Sequence, residues 1–193
     1  MKMTTRERIL KQTTELIYRQ GYLATSISDI MTASGVGKGQ LYHYFASKQA
    51  IGLEVVTQLL GEWRSQLLDG ILSQENPRQA LVAMVDWFFE FHQNQTVFYG
   101  CPLGNLIVEL SAQEPHFQEL LKAFMTDWEE ALVSVLQAAY PERSKVACRE
   151  QAINLLASLQ GGVVLVKVHQ DLDSLTLVRQ RLLQDLGLVA DRS

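Results

Sequence analysis

TSISDIMTASGVGKGQLYHYFASK, residues 25–48, carries helix-start and helix-stop signals at short intervals. Ser26-x-x-Asp29 has the spacing of a capping box, and Ile27, Ile30 and Met31 supply the apolar positions of a helix about eight residues long. Gly35 is placed to end it in a left-handed cap. After Val36-Gly37 a third helix over about 38–44 turns Leu41 and Tyr44 inward, and Ser47 caps a fourth, longer helix running to about residue 72. One helix precedes them. Thr4-Thr5-Arg6-Glu7 is a second capping-box pattern, followed by the apolar face Ile9, Leu16 and Ile17 up to Gly21. Two short helices across a tight glycine-containing turn, steadied by a helix before them, make a helix-turn-helix unit.

The second of those helices spans about 12 Å, the width of a B-DNA major groove. With Leu41 and Phe45 anchoring its inner face, Lys38, Gly39, Gln40, Tyr42 and His43 are left toward the outside. Gln and Lys read base edges, a glycine permits close approach, and hydroxyls and backbone N–H groups reach phosphate. Charge agrees. Residues 1–52 hold seven Lys/Arg against three acids, a net of +4, whereas the remainder holds ten against eighteen, a net of −8. A basic head on an acidic body points to a polyanionic partner for the head alone.

The rest of the chain reads as helix throughout, so the expected fold is all-α with about nine helices. Asn76-Pro77 opens a helix to about His92, 93–100 form a loop, and Cys101-Pro102 opens a helix to about Ala112. From Glu114-Pro115, apolar residues recur every three to four positions through Phe117, Phe124, Trp128 and Leu136 until Pro141. A long helix over about 144–169 and a shorter one over about 174–186 complete the chain. The former becomes apolar nearly all round after Ile153, so a partner subunit is its expected second cover, together with the 117–139 helix. Gly161 and Gly162 inside it permit close backbone approach or leave room. A helix-turn-helix domain over 1–46 and a ligand-binding and dimerisation domain over 47–193 are expected.

With 47% hydrophobic residues, 4 Pro and 12 Gly, the composition is that of a folded globular chain. No apolar run approaches the roughly 20 residues of a membrane span, and the two cysteines form neither a disulfide framework nor a metal-ligand pattern. A cytoplasmic protein without metal or cofactor is expected.

The ordered stretches Thr25-Ser26-Ile27-Ser28-Asp29-Ile30 and Ala33-Ser34-Gly35-Val36-Gly37-Lys38-Gly39-Gln40-Leu41-Tyr42-His43-Tyr44-Phe45-Ala46-Ser47-Lys48 closely resemble the DNA-binding domain of the tetracycline-repressor family. The resemblance implies a homodimer that binds a palindromic DNA operator and releases it when a small-molecule inducer enters the C-terminal domain. It also implies phosphate contacts from Thr25, Ser26, Tyr42, Tyr44 and Lys48, and base-side contacts from Lys38, Gly39, Gln40 and His43. Two positions depart from the common pattern: Gly37, where Ser or Thr is usual, and Gln40, where a small residue is usual. Further on, Tyr99-Gly100-Cys101-Pro102-Leu103-Gly104-Asn105-Leu106 with Glu109-Leu110-Ser111 looks like the electrophile- and reductase-linked subgroup.

Trp63, Trp87, Phe88, Phe91, Phe98, Tyr99, Phe124 and Trp128 offer aromatic surface to an aromatic or apolar ligand. Cys101, next to a helix N-terminus that favours thiolate, is a candidate sensing residue for an electrophile, with Lys167 as a candidate neighbour. The plain alternative is a small buried hydrophobe, which is the reading for Cys148. His92, His116 and His169 show no metal spacing and are expected at the surface or hydrogen-bonded. Two rivals to the regulator are a thiol-dependent helical enzyme using Cys101, and a ligand-binding dimer that does not bind DNA. No third group at recognisable spacing would orient a catalytic base, so the chain is not expected to be an enzyme.

Overall fold

A computed structural model describes residues 3–112 and 114–188; Met1, Lys2, Gln113 and 189–193, at the ends and middle of the two expected domains, lie outside the described residues. The fold is all-α, as expected. Helices α1 (Thr5–Gln20), α2 (Ile27–Ser34), α3 (Lys38–Tyr44) and α4 (Lys48–Trp63) are followed by a π-helical stretch, Arg64–Ile71. Then come α5 (Pro77–Gln93), α6 (Pro102–Leu110), α7 (Pro115–Ala139), α8 (Lys145–His169) and α9 (Asp173–Asp185).

The local signals act as their chemistry dictates. Thr4 and Ser26 both form complete capping boxes, with Glu7 and Asp29 respectively. Asn76 Oδ1 accepts the N–H groups of Arg78 and Gln79 ahead of Pro77, and Ser47 Oγ accepts that of Ala50. Gly35 ends α2 at φ 62°, in the left-handed region that favours glycine.

Packing divides the chain into two units, each made from separate stretches: Met1–Glu62 with Pro102–Lys122, and Trp63–Cys101 with Ala123–Ser193. In the first unit the reason is Tyr22, in the α1–α2 connection. A Cβ on Gly52 of α4 would lie 2.4 Å from the Tyr22 ring, and that ring packs on Phe117 of α7 with centroids 5.0 Å apart. Most of α4 and the start of α7 are thereby built onto the helix-turn-helix, and α6 joins them through Glu109.

In the second unit α8 meets α9 closely at Gly162, where a Cβ would lie 3.0 Å from Leu175 and 3.3 Å from Val178. Gly161, about 100° around α8 from Gly162, has open space beside it. Asp86 of α5 pairs with Arg179 of α9 at 2.6 Å. Among the described residues α8 is long and apolar enough to cross a membrane by length and composition, contrary to the expectation from contiguous runs. It is nonetheless a core helix along one face, burying Cys148, Ala152, Leu155, Leu159, Val163 and Val166.

Candidate functional site

The first unit presents α3 as a lid-like surface helix. Leu41 and Phe45 are buried, and burying a side chain of that size stabilises the fold by about 2 kcal/mol or more, enough to hold a seven-residue helix that could not persist alone. Lys38, Gly39, Gln40, Tyr42 and His43 are all exposed, as the spacing implied. Tyr44 is 38% exposed rather than turned inward. Phe45 takes the inner place because it stands one turn beyond Leu41, whereas Tyr44 is rotated to the rim and packs edge-on against His43 at 5.0 Å.

Two glycines distinguish this helix. Gly37 is its N-cap and makes no side-chain cap bond, at an ordinary φ of −81°. Gly39 lies inside the helix at no positive φ, and a Cβ there would meet nothing within 4 Å. A helix-interior glycine costs about 1 kcal/mol relative to alanine, so folding gives no reason for Gly39.

The flanking residues named from the sequence divide into exposed and engaged. Ser26 is exposed at the start of α2; its N–H and hydroxyl both donate to Asp29 at 2.8 and 2.7 Å. Those bonds, ahead of the more distant Lys48, hold the Asp29 carboxyl below its ordinary pKa. Thr25 is fully buried and its hydroxyl donates to Gly21 O at 2.7 Å, so its side chain braces the α1–α2 connection. Lys48 donates to Leu23 O at 3.2 Å and lies 4.4 Å from the Tyr22 ring centroid. Burial lowers its pKa, against the opposing pull of Glu109, Asp29 and Glu114.

Glu109, which in the sequence is only one position of the Glu109-Leu110-Ser111 motif, has a structural role of its own. Its carboxylate accepts the backbone N–H groups of Tyr22 at 2.9 Å and Leu23 at 2.7 Å, bringing α6 onto the connection that leads into the helix-turn-helix. Glu114 adds a bond from Gln49 at 3.1 Å. No spacing rule links positions 87 residues apart in sequence, so no local signal could have found this clamp.

In the second unit the expected aromatic residues do converge. Trp63 packs within 5.1–6.4 Å, centroid to centroid, of Trp87, Phe91, Phe124 and Trp128. Phe98 stands apart, its backbone N–H and carbonyl both paired with the Gln170 side chain at the end of α8. Cys101 is buried, with the Gln160 amide 3.4 Å from its sulfur; Lys167, two turns beyond Gln160, is exposed. Cys148 is wholly buried in the core. His116 and His169 are exposed as expected, but His92 is not. It is fully buried, and neither ring nitrogen has a hydrogen-bond partner. Among the described residues no cluster of three or more His, Cys, Asp or Glu could hold a metal.

Residues 9–55 match the family model for bacterial regulatory proteins of the tetR family. Residues 77–181, more than half of the chain, match that for the C-terminal domain of LmrA/YxaF-like transcriptional regulators. The chain belongs to the tetR family. It is 40% identical over 172 residues to an uncharacterized HTH-type transcriptional regulator in the lacX 3' region of Lactococcus lactis subsp. lactis, covering 89% of this chain and 87% of that one. It is 27% identical to the HTH-type transcriptional repressor NemR of Escherichia coli K12, over 70% of this chain and 66% of the relative. A TetR transcriptional regulator from Chloroflexus aurantiacus superposes with a TM-score of 0.84 at 26% identity, covering 95% and 94% of the two chains. This tetR-family protein is thus a ligand-responsive transcriptional regulator whose helix-turn-helix is α2 and α3, with α5, α8 and α9 in the larger helical body.

Proposed function

We propose that the protein is a cytoplasmic repressor that binds a palindromic operator as a homodimer and is released by a small molecule taken up in the second unit. The observation that carries DNA binding is α3 itself: an exposed row of Lys38, Gln40, Tyr42 and His43 around a glycine that the fold does not need. In a two-fold dimer the two α3 helices enter successive major grooves about 34 Å apart. Ser26 and Tyr44 flank that row toward phosphate, and Lys48 and the α1–α2 connection held by Thr25 support it.

The dimer face is α8 with α9. Ile153, Ala157, Gly161, Val164 and Val168 recur at helical spacing and are all exposed, and Leu177 of α9 is exposed as well. Such a stripe needs a cover, and an exposed glycine within it lets a partner helix come close. In α7 the large apolar residues are buried or half-buried, so α7 has little to offer a partner.

DNA from upstream of the protein's own gene tests the assignment by gel shift. Lys38→Ala and Tyr42→Ala each weaken binding at moderate salt while sedimentation shows an unchanged dimer; unaltered affinity in both refutes it. If the inducer is an electrophile, Cys101 is the thiol it meets, and Cys101→Ser abolishes its effect on DNA binding. Turnover of a thiol-reactive substrate without DNA binding would favour an enzyme instead.

A further inference from the structure

His92 and Trp128 are anomalies within the body. His92 is fully buried with Nδ1 and Nε2 both unpartnered, and Trp128, 1% exposed, has an unpartnered Nε1. Buried polar groups in folded proteins are hydrogen-bonded in the great majority of cases, and leaving one unsatisfied is destabilising. Replacing either residue by phenylalanine would remove that burden while keeping a ring in place, so packing does not account for them.

The two side chains belong to one structure. Ring contacts run from Trp63 to Phe91 (6.0 Å), Phe91 to His92 (5.1 Å), His92 to Phe88 (5.2 Å), Phe88 to Trp128 (6.5 Å) and Trp128 back to Trp63 (6.2 Å). This closed circuit of five rings carries the unpartnered nitrogens on either side of Phe88. Water is a poor partner for them. A buried water needs two to four polar neighbours, and the rings packed against His92, Phe88 and Phe91, offer none.

The backbone beside the circuit is unusual. Immediately after Trp63 the chain is π-helical over Arg64–Ile71, and the Leu72 N–H is bonded five residues back to Leu67 O at 2.8 Å. A π-helix of this length is rare, π-turns concentrate at functional sites, and reverting one turn to α-geometry shifts the register by a residue. Trp63 is the ring joined directly to it.

We propose that this aromatic circuit is the seat of the effector, that His92 and Trp128 are its polar anchors, and that the effector is an uncharged aromatic molecule bearing a hydrogen-bond acceptor. The indole N–H can only donate, and neutral imidazole offers one donor and one acceptor. Burial lowers the His92 pKa to about 4, so the ring is neutral near pH 7. No charged side chain among the described residues is buried in this unit, so an ionic ligand would be desolvated without a counter-charge. Trp63 moves aside with its π-helical neighbour to admit the ligand. Calling the molecule an effector rests on the regulator reading; the binding site does not.

The test uses the full chain and three probes of similar shape: 2-acetonaphthone, neutral with an acceptor; 2-ethylnaphthalene, neutral without one; and 2-naphthoate, an anion. Titration calorimetry should show the ketone binding at least tenfold more tightly than either of the others. Trp128→Phe, His92→Phe and the double variant should retain hydrocarbon binding while the double variant loses the preference for the ketone. In a ¹⁵N-labelled sample the Trp128 indole N–H resonance, assigned by its absence in Trp128→Phe, should move downfield with the ketone and not with the hydrocarbon. Equal binding of ketone and hydrocarbon, no binding of any probe up to its solubility limit, or an undiminished preference in the double variant overturns the proposal. A gel shift separates the two readings: ketone selectivity in a protein that binds no DNA refutes the repressor and leaves the site standing, whereas DNA binding without ketone selectivity does the reverse.

Discussion

Substituting His92 by phenylalanine should flatten the acid side of the protein's stability profile. In the folded chain burial holds the imidazole pKa down at about 4, against an ordinary 6.5. The rings packed against it, Phe88 and Phe91, carry no charge to offset that burial. Between these two values the unfolded chain binds a proton that the folded chain refuses, so stability is fully present above pH 6.5 and lost as pH falls toward 4. Integrating between pH 7.5 and pH 4.5 gives a loss of about 2.5 kcal/mol from this one residue. Urea unfolding followed by tryptophan fluorescence at half-unit pH intervals measures it. His43, His116 and His169 and all the carboxylates are common to both proteins, so the difference between wild type and His92→Phe isolates the buried ring. A difference between the two that changes by less than about 0.5 kcal/mol over that range would show that His92 is solvated or paired, and the reasoning would fail.

Further outcomes follow from the same geometry. Gly39→Ala should raise stability by up to about 1 kcal/mol by differential scanning calorimetry while weakening operator affinity, because the methyl has room in the free chain but not against a groove; a variant with unchanged DNA affinity would count against close approach there. Gly37→Ser, at a φ already suited to an N-cap, should stabilise α3 by a few tenths of a kcal/mol to about 1 kcal/mol in the same experiment. Glu109→Ala removes two charge-assisted bonds to the α1–α2 connection; it should cost about 2–4 kcal/mol of stability and release the Tyr22 and Leu23 amides to faster hydrogen exchange, whereas unchanged exchange at those amides would deny the clamp. Val164→Asp with Val168→Asp should yield monomers by analytical ultracentrifugation, and a persistent dimer would move the interface away from this face of α8.

Much of this protein is settled by short-range chemistry, and that part is legible in its sequence. The capping boxes at Thr4 and Ser26, Asn76-Pro77 and Gly35 place helix ends because a cap is a bond between residues two to four apart. The exposure of Lys38, Gln40, Tyr42 and His43 follows from helical spacing around Leu41. Even Tyr44 fails by only one position, since adjacent helical residues point about 100° apart and Phe45 competes for the same anchor.

What tertiary structure alone decided is everything that depends on which distant residues meet. The Glu109 carboxylate of α6 reaches two amides far back along the chain, and no local pattern announces that contact. The stretch beyond Trp63 is expected as plain helix, and nothing in RSQLLDGI announces that it winds as a π-helix. His92 sits in a sequence, WFFEFHQ, where a polar residue at a helix end suggests solvent; only the packing of Phe88 and Phe91 around it shows that it is sealed away from water. Helical spacing determines what faces a groove within seven residues, but burial without a partner is a property of the whole core, and no window of sequence contains it.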